Sequence, residues 1–363
     1  VYGDYWKKNR FFLYEAYQDG KDEWDRYVKN DYGRYVLEKC GYLQSFEKIK
    51  HIHENYHEDA DLDWEVSPLS QQEITFLKEH CQDIPWYQHN DWGFTSDSFD
   101  VTQPGDCIMT FGCSYVYGTG LAENERFSNL IASELNLKNY NFGVSGGSHD
   151  LAYNFGQYFI PLLKPKYVFL LGPHLGRSFH FNLNLFTYYF DKFKFKKTKE
   201  GELIVNLKNK ADIMESSTFF NRDICVNIQA GLEDEDNKDL SLINYLKQRN
   251  IHYEGNYYMC KADAIKNVHA LKHICNENNS KLFYLNADDP IIPFNRKGKT
   301  GKSISDMASD ISYKIRKKEK ASKQQLDEWY KSIDMRNDFA RDLQHPGRIT
   351  NKWLAEYFLE LIK

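Results

Sequence analysis

The amino-acid sequence predicts an α/β protein, with helices covering both faces of a parallel sheet in a three-layer α/β/α domain. A mostly helical region precedes this domain and a β-rich insertion interrupts it. Three observations predict the class. Four short apolar runs, 106–111, 139–142, 167–171 and 281–286, are bounded by Gly, Asn or Pro and are too short for helices. The stretches between them carry helical periodicity. Hydrophobic residues make up 41% of the 363, enough for a sizeable core.

The elements follow in order. Residues 1–100 show no alternation of strand and helix and are rich in Trp, Tyr, Lys and Glu. Within them Ser70-Gln71-Gln72-Glu73 reads as a capping box opening a helix, with Ile74, Leu77 and Cys81 on one face. Residues 101–363 form the α/β domain. Its first strand, Asp106 to Phe111, leads to a helix at 122–136, where Phe127, Leu130, Ile131 and Leu135 share a face. Strands Asn139 to Phe142 and Tyr167 to Leu171 come next. The insertion spans 176–260. There Lys192 to Lys197 and Glu202 to Leu207 flank Thr198-Lys199-Glu200-Gly201, a β-hairpin with Gly in its turn. Phe179, Phe181, Phe186, Tyr188, Tyr189 and Phe190 precede that hairpin and either roof a cleft or cover a sheet edge. Ala264, Val268, Leu271 and Ile274 mark another helix, before the strand Lys281 to Asn286. In the last helix Thr350 is a candidate cap, and Trp353, Leu354, Tyr357, Phe358 and Leu361 form the docking face.

Composition excludes several function classes. A net charge of −5 gives no global basic field to hold nucleic acid. The locally basic run Lys314 to Lys323 has no interleaved aromatics and reads as a solvated helix face. The seven cysteines are odd in number and form no C-x-x-C pair, against a disulfide scaffold or a structural zinc site and in favour of a reducing compartment. No stretch approaches membrane-spanning length and no signal peptide is visible, so a cytoplasmic protein without a membrane partner is expected. His51, His53 and His57 have a spacing that suits metal, but Glu54, Glu58, Asp59, Asp61 and Asp63 around them read as a solvated acidic segment. No metal or cofactor is expected. Aromatics reach 16%, a surplus that lines flat, carbohydrate-like ligand surfaces or fills a core.

Chemistry concentrates where strands end. In an open parallel sheet, sites form outside the carboxyl ends of the strands. Gly112-Cys113-Ser114 ends the first strand and presents a serine there. The second strand runs into Gly143-Val144-Ser145-Gly146-Gly147-Ser148, where the Gly146 amide is placed to bind a developing oxyanion. The third ends at Gly172-Pro173-His174, with His174 as a side-chain donor to the same oxyanion. Far downstream, Asp342 and His345 share a face if 342–345 form a helical turn, and Pro346 fixes the direction of His345. These residues supply a nucleophile, a base and an orienting carboxylate. Ser145 is a rival nucleophile, since 143–147 fit the G-x-S-x-G elbow. No HGGG-type segment lies upstream, and the tight acid–base spacing differs from that layout, so Ser114 is favoured. Cys113 reads as a small buried residue rather than a thiol nucleophile. Asp288 and Asp289, after the fourth strand, read as turn residues more than as substrate contacts.

Gly112-Cys113-Ser114 with Gly118-Thr119-Gly120-Leu121, the loop from Asn141 to Ser148, and Asp342-Leu343-Gln344-His345-Pro346-Gly347 resemble the ordered blocks of the SGNH/GDSL hydrolase superfamily. The resemblance covers roughly 101–175 and 262–363. It implies a flavodoxin-like fold and metal-free hydrolysis of esters of lipids, acetylated sugars or polysaccharides. It also implies Ser114 as nucleophile, Gly146 as oxyanion donor, and Asp342 and His345 as the rest of a triad. The expected reaction is removal of an acyl group, foremost O-acetyl, from a carbohydrate or similar small-molecule ester. Two positions depart from the family pattern: His174 stands where its third block usually carries Asn, and Cys113 replaces the usual acid before the serine. Gly-Cys-Ser domains resemble those of bacterial and bacteriophage proteins. The alternative expectation is therefore a binding or structural module that has lost turnover, assembled as a homo-oligomer or in a virion.

Overall fold

A computed structural model of the chain describes residues 28–43, 86–88, 90, 94–144, 146–175, 177, 253–298, 301–331 and 338–363, with short strands at 11–13, 178–181, 195–197, 203–205 and 225–228. In chain order the elements are β1 (Phe11–Leu13), α1 (Asp31–Lys39), β2 (Trp86–Gln88), β3 (Cys107–Gly112), α2 (Ser114–Tyr117), α3 (Phe127–Leu135), β4 (Lys138–Gly143), α4 (His149–Leu163) and β5 (Tyr167–Gly172). They continue with β6 (Ser178–Phe181), β7 (Phe195–Lys197), β8 (Leu203–Val205), β9 (Cys225–Ile228), α5 (Tyr253–Glu277), β10 (Lys281–Asn286), α6 (Ile304–Arg316), α7 (Lys323–Lys331) and α8 (Arg348–Ile362).

Four of these strands form an all-parallel sheet in the order β10-β5-β3-β4. The chain steps from β3 to β4 on one side, then crosses back to β5 on the other. Such a reversal puts the crossover helices on opposite faces and opens a crevice at the carboxyl ends of β3 and β5. The register brings Gly112 beside Gly143 and Leu171, and Gly172 beside Asn286, along one edge.

Side-chain alternation in the strands explains the layers. Ile108, Phe169, Leu171, Phe283 and Leu285 pack with Phe127 and Ile131 of α3, Ile311 of α6, and Leu354 and Phe358 of α8. Their neighbours Met109, Phe111, Val168 and Leu170 face the other way, against Leu151, Phe155 and Phe159 of α4 and Leu271 of α5. Strands covered on both faces need apolar residues at every position, which is why these runs show no alternation of polar and apolar residues. β10 lies at the edge and does alternate: Phe283 and Leu285 are buried while Tyr284 is exposed. At Gly156 the helices α4 and α5 approach closely, since a Cβ there would lie 2.2 Å from Leu271 Cδ1.

The start of the chain joins this core. Asn30 caps α1, accepting from the Tyr32 amide at 2.9 Å, and Val36 and Leu37 enter the cluster that holds α6 and α8. β1 and β2 pair antiparallel. The strands of the expected hairpin pair antiparallel, with Phe195 opposite Val205 and Lys197 opposite Leu203, while its turn lies outside the described residues, and β6 pairs antiparallel with β9. The expected helix at 70–81, the His51 to Asp63 segment and the aromatic run 186–190 lie outside the described residues. The basic run beginning at Lys314 is only partly helical, because α6 ends at Arg316. No described helix is long and apolar enough to cross a membrane.

The expected cap of the last helix is corrected. α8 starts at Arg348, and Thr350 lies inside it. Capping comes from Asp338 instead, whose carboxylate accepts from the Ile349 amide at 2.9 Å, the Thr350 amide at 3.0 Å and the Thr350 hydroxyl. The helix's unpaired amides thus take an acceptor from an earlier segment.

Candidate active site

β3 delivers Ser114 to the crevice. A Cβ on Gly112 would lie 2.4 Å from Val116 Cγ2 and 2.5 Å from the Leu171 carbonyl oxygen, so only glycine fits between β5 and the turn that follows. The Cys113 carbonyl accepts the Val116 and Tyr117 amides at 2.9 and 3.0 Å, closing one helical turn. Gly118 ends that turn at φ 81°. Cys113 is fully buried under it, as a packing residue.

β4 buttresses the turn from the other side. Asn141 donates from Nδ2 to the Val116 carbonyl at 2.7 Å, and its Oδ1 accepts the Gly143 amide at 2.8 Å. Gly143 lies against the backbone of Val116 and Tyr117, where a Cβ would come within 2.2 Å of the Tyr117 nitrogen. Gly146 adopts φ 74°, and the amide of Gly147 is used by the Val144 carbonyl at 2.8 Å. Among the described residues the amides of Ser114 and Gly146 bond to no acceptor, which leaves both available to a ligand. Ser145 lies outside the described residues.

The histidine arrives on an arch between Asp338 and Gly347. Its feet are tied by the Gly347 amide to the Asp338 carbonyl at 2.9 Å and by the Ala340 amide to the His345 carbonyl at 2.8 Å. The helical turn expected for 342–345 is not what forms. Leu343 takes φ 57°, and Asp342 Oδ1 accepts the Gln344 and His345 amides, each at 3.1 Å. The carboxylate competes locally for amides that a helix would have used, giving a side-chain-closed turn. The outcome for the side chains is the expected one. Asp342 Oδ2 pairs with His345 Nδ1, and His345 Nε2 lies 2.8 Å from Ser114 Oγ. With Nδ1–H donating to the carboxylate, Nε2 is the acceptor for the serine hydroxyl. Ser114 is buried, whereas the His345 side chain keeps 20% of its surface exposed, so the dyad meets solvent at the imidazole.

Residues that sequence reasoning missed hold the two loops together. The Tyr87 hydroxyl donates to the Gly118 carbonyl at 3.2 Å and accepts the Gly120 amide at 2.6 Å. Arg341, beside the acid, reaches the Gly120 carbonyl at 3.1 Å and forms a two-pronged pair with Glu125 at 2.6 and 3.2 Å. Only 2% of the Arg341 side chain is exposed, so this pair works at low dielectric, where planar two-point geometry matters most. No local pattern marks these contacts, since the partners of Arg341 lie more than two hundred positions away.

No model of a known protein family matches this chain, and no curated protein sequence matches it. The site therefore stands on its geometry.

Across the crevice, Gly172 ends β5 with the His149 ring over it; a Cβ would lie 2.6 Å from His149 Nε2. Burial pushes the His149 imidazole down to about 4, so it is neutral near pH 7. His174 is not left free for an oxyanion on both nitrogens, because its Nδ1 pairs with Asp288. Asp288 is therefore more than the turn residue expected, whereas Asp289 does serve the turn by accepting the Ile291 amide at 2.9 Å. The Tyr115 ring stands edge-on to both histidines, 5.7 Å from His345 and 6.3 Å from His174. Among the described residues, no group of three or more His, Cys, Asp or Glu side chains is placed to hold a metal ion.

Proposed function

We propose that this protein is a serine ester hydrolase of SGNH type, using a Ser-His-Asp triad and an acyl-enzyme. Ser114 Oγ attacks the ester carbonyl and its proton passes to His345 Nε2. His345 returns that proton to the departing alkoxide as the C–O bond breaks, leaving Ser114 acylated. Water, deprotonated by the same imidazole, then attacks the acyl group and the serine leaves with its proton restored. Asp342 holds the Nδ1–H tautomer and balances the imidazolium. The Ser114 and Gly146 amides are the oxyanion donors at the edge where Gly172 ends β5.

The observation that carries this reading is the relay itself: Ser114 Oγ to His345 Nε2 at 2.8 Å, with Nδ1 against the Asp342 carboxylate. Two further features support it. Ser114 follows β3 at the reversal crevice of a parallel sheet, and the sheet order β4-β3-β5-β10 suits a flavodoxin-like fold. A sugar O-acetyl or similar small acyl ester is the favoured substrate, a choice that rests on the SGNH resemblance and the aromatic-rich composition. A fluorophosphonate probe tests the mechanism. Wild type is expected to be labelled on Ser114 and to turn over 4-nitrophenyl acetate, and Ser114→Ala to lose several orders of magnitude in rate. Folded wild-type protein that reacts with neither reagent would point to a non-catalytic module.

A further inference from the structure

Among the described residues, the loop after β5 carries a cation without an acid. The Arg177 amide donates to the His174 carbonyl at 3.0 Å, folding the loop back over the strand end. The Arg177 side chain is half-buried and its Nη1 is shielded from solvent, yet among the described residues that nitrogen has no hydrogen-bond partner. The two described carboxylates nearby are already committed: Asp342 to His345 and Asp288 to His174. Tyr115 lies among all of them. Burial raises its phenol pKa, Asp288 and Asp342 push it further up, and Arg177 opposes them. A guanidinium withdrawn from water with an unused donor is costly unless an anion completes it. This one stands on the loop that begins at Gly172, five residues past the end of β5.

We propose that Arg177 is the anion-binding arm of the active site and receives a carboxylate carried by the substrate. This rests on the hydrolase reading and sharpens it. An acetyl group is too small to carry a charge, so the anion belongs to the alcohol portion. The substrate class is an acyl ester of an acidic alcohol, such as an acetylated sugar acid. Arginine suits the role better than lysine because its planar fork matches a carboxylate at two points.

The test compares two acetyl esters that differ in charge, 4-acetoxybenzoate and 4-acetoxybenzamide, in wild type, Arg177→Gln and Arg177→Lys. Wild type is expected to prefer the benzoate in kcat/KM. That preference should fall about tenfold in Arg177→Gln, mainly through KM, and only part-way in Arg177→Lys. Calorimetric titration of 4-acetoxybenzoate into Ser114→Ala and into Ser114→Ala/Arg177→Gln measures the same arm without turnover. About tenfold weaker binding in the double variant supports the proposal even if wild type hydrolyses neither ester, in which case the hydrolase reading alone fails. An unchanged benzoate-to-amide ratio, or equal affinities where there is no turnover, overturns the anion-binding role.

Discussion

Single atoms decide the geometry around Ser114. Gly143 has no side chain because the nucleophile turn occupies the space where one would stand: a Cβ would meet the Tyr117 nitrogen at 2.2 Å and the Val116 carbonyl carbon at 2.6 Å. Both obstacles are backbone, so neither rotates away. Gly143→Ala is expected to push the turn off β4, break the Asn141 bond to the Val116 carbonyl, and cost about 2 kcal/mol of stability. Because Ser114 rides on that turn, kcat on 4-nitrophenyl acetate should fall more than the stability loss alone explains. A variant that unfolds at the wild-type urea midpoint and keeps full kcat would show that the close approach does not matter. Asp342→Asn probes the other end of the relay. It keeps an acceptor for the Gln344 and His345 amides but loses the charge that pairs with His345 Nδ1. A drop of about 10⁴ in kcat with little change in folding is expected, by analogy with triads whose tautomer is inverted. A drop of less than tenfold would remove the carboxylate from the mechanism.

At the scale of elements, the arch that carries Asp342 and His345 depends on Asp338. Its carboxylate accepts two amides and a hydroxyl at the start of α8, and its carbonyl accepts the Gly347 amide, so one residue fixes both the helix and the foot of the arch. Asp338→Ala strands those donors in a buried place, at a cost of about 2 kcal/mol. The same change should lower kcat, since the His345 backbone is tied to Ala340 only two residues on. Urea unfolding and steady-state kinetics check both, and a variant equal to wild type in each would refute the role. Elements of this kind mark the boundary of what the sequence reveals. The inner strands β3 and β5 were legible because doubly covered strands are largely apolar, and the edge strands β4 and β10 because they are short runs bounded by Gly or Asn. The Ser114 and His345 pairing was legible because strand ends and an Asp-x-x-His step are local signals. Asp338 was not, because Thr350 offered an equally good local cap and only tertiary folding puts the carboxylate first. Tyr87, thirty-one positions before Gly118, was invisible for the same reason: a hydroxyl that braces a distant loop leaves no period or motif.

Across the whole molecule, two buried groups pull the pH dependence of stability in opposite directions. His149 has a folded value of about 4 against an ordinary 6.5, because burial disfavours its charged form. Above 6.5 both states are neutral and nothing is lost. As pH falls from 6.5 toward 4 the unfolded chain takes up a proton that the folded protein refuses, so stability falls, and below 4 the loss levels off. Between pH 7 and pH 4 this amounts to about 3 kcal/mol. Asp338 acts the other way. Burial raises its carboxyl to about 6 from 3.8, outweighing the bonds it accepts. Its folded form therefore keeps a proton that the unfolded chain has released, and stability rises as pH falls from 6 toward 3.8. The two windows overlap, so the wild-type profile alone can look flat while both effects operate. A ring-conserving substitution separates them. His149→Phe removes one titration, leaves Asp338 untouched and fills the same space over Gly172. Urea unfolding of both proteins from pH 7 to pH 4 should show the variant gaining about 3 kcal/mol relative to wild type over that range. Parallel curves would mean that His149 is protonated in the folded state at acid pH. The imidazole would then have found an acceptor such as Asp288, whose charge already favours the protonated form.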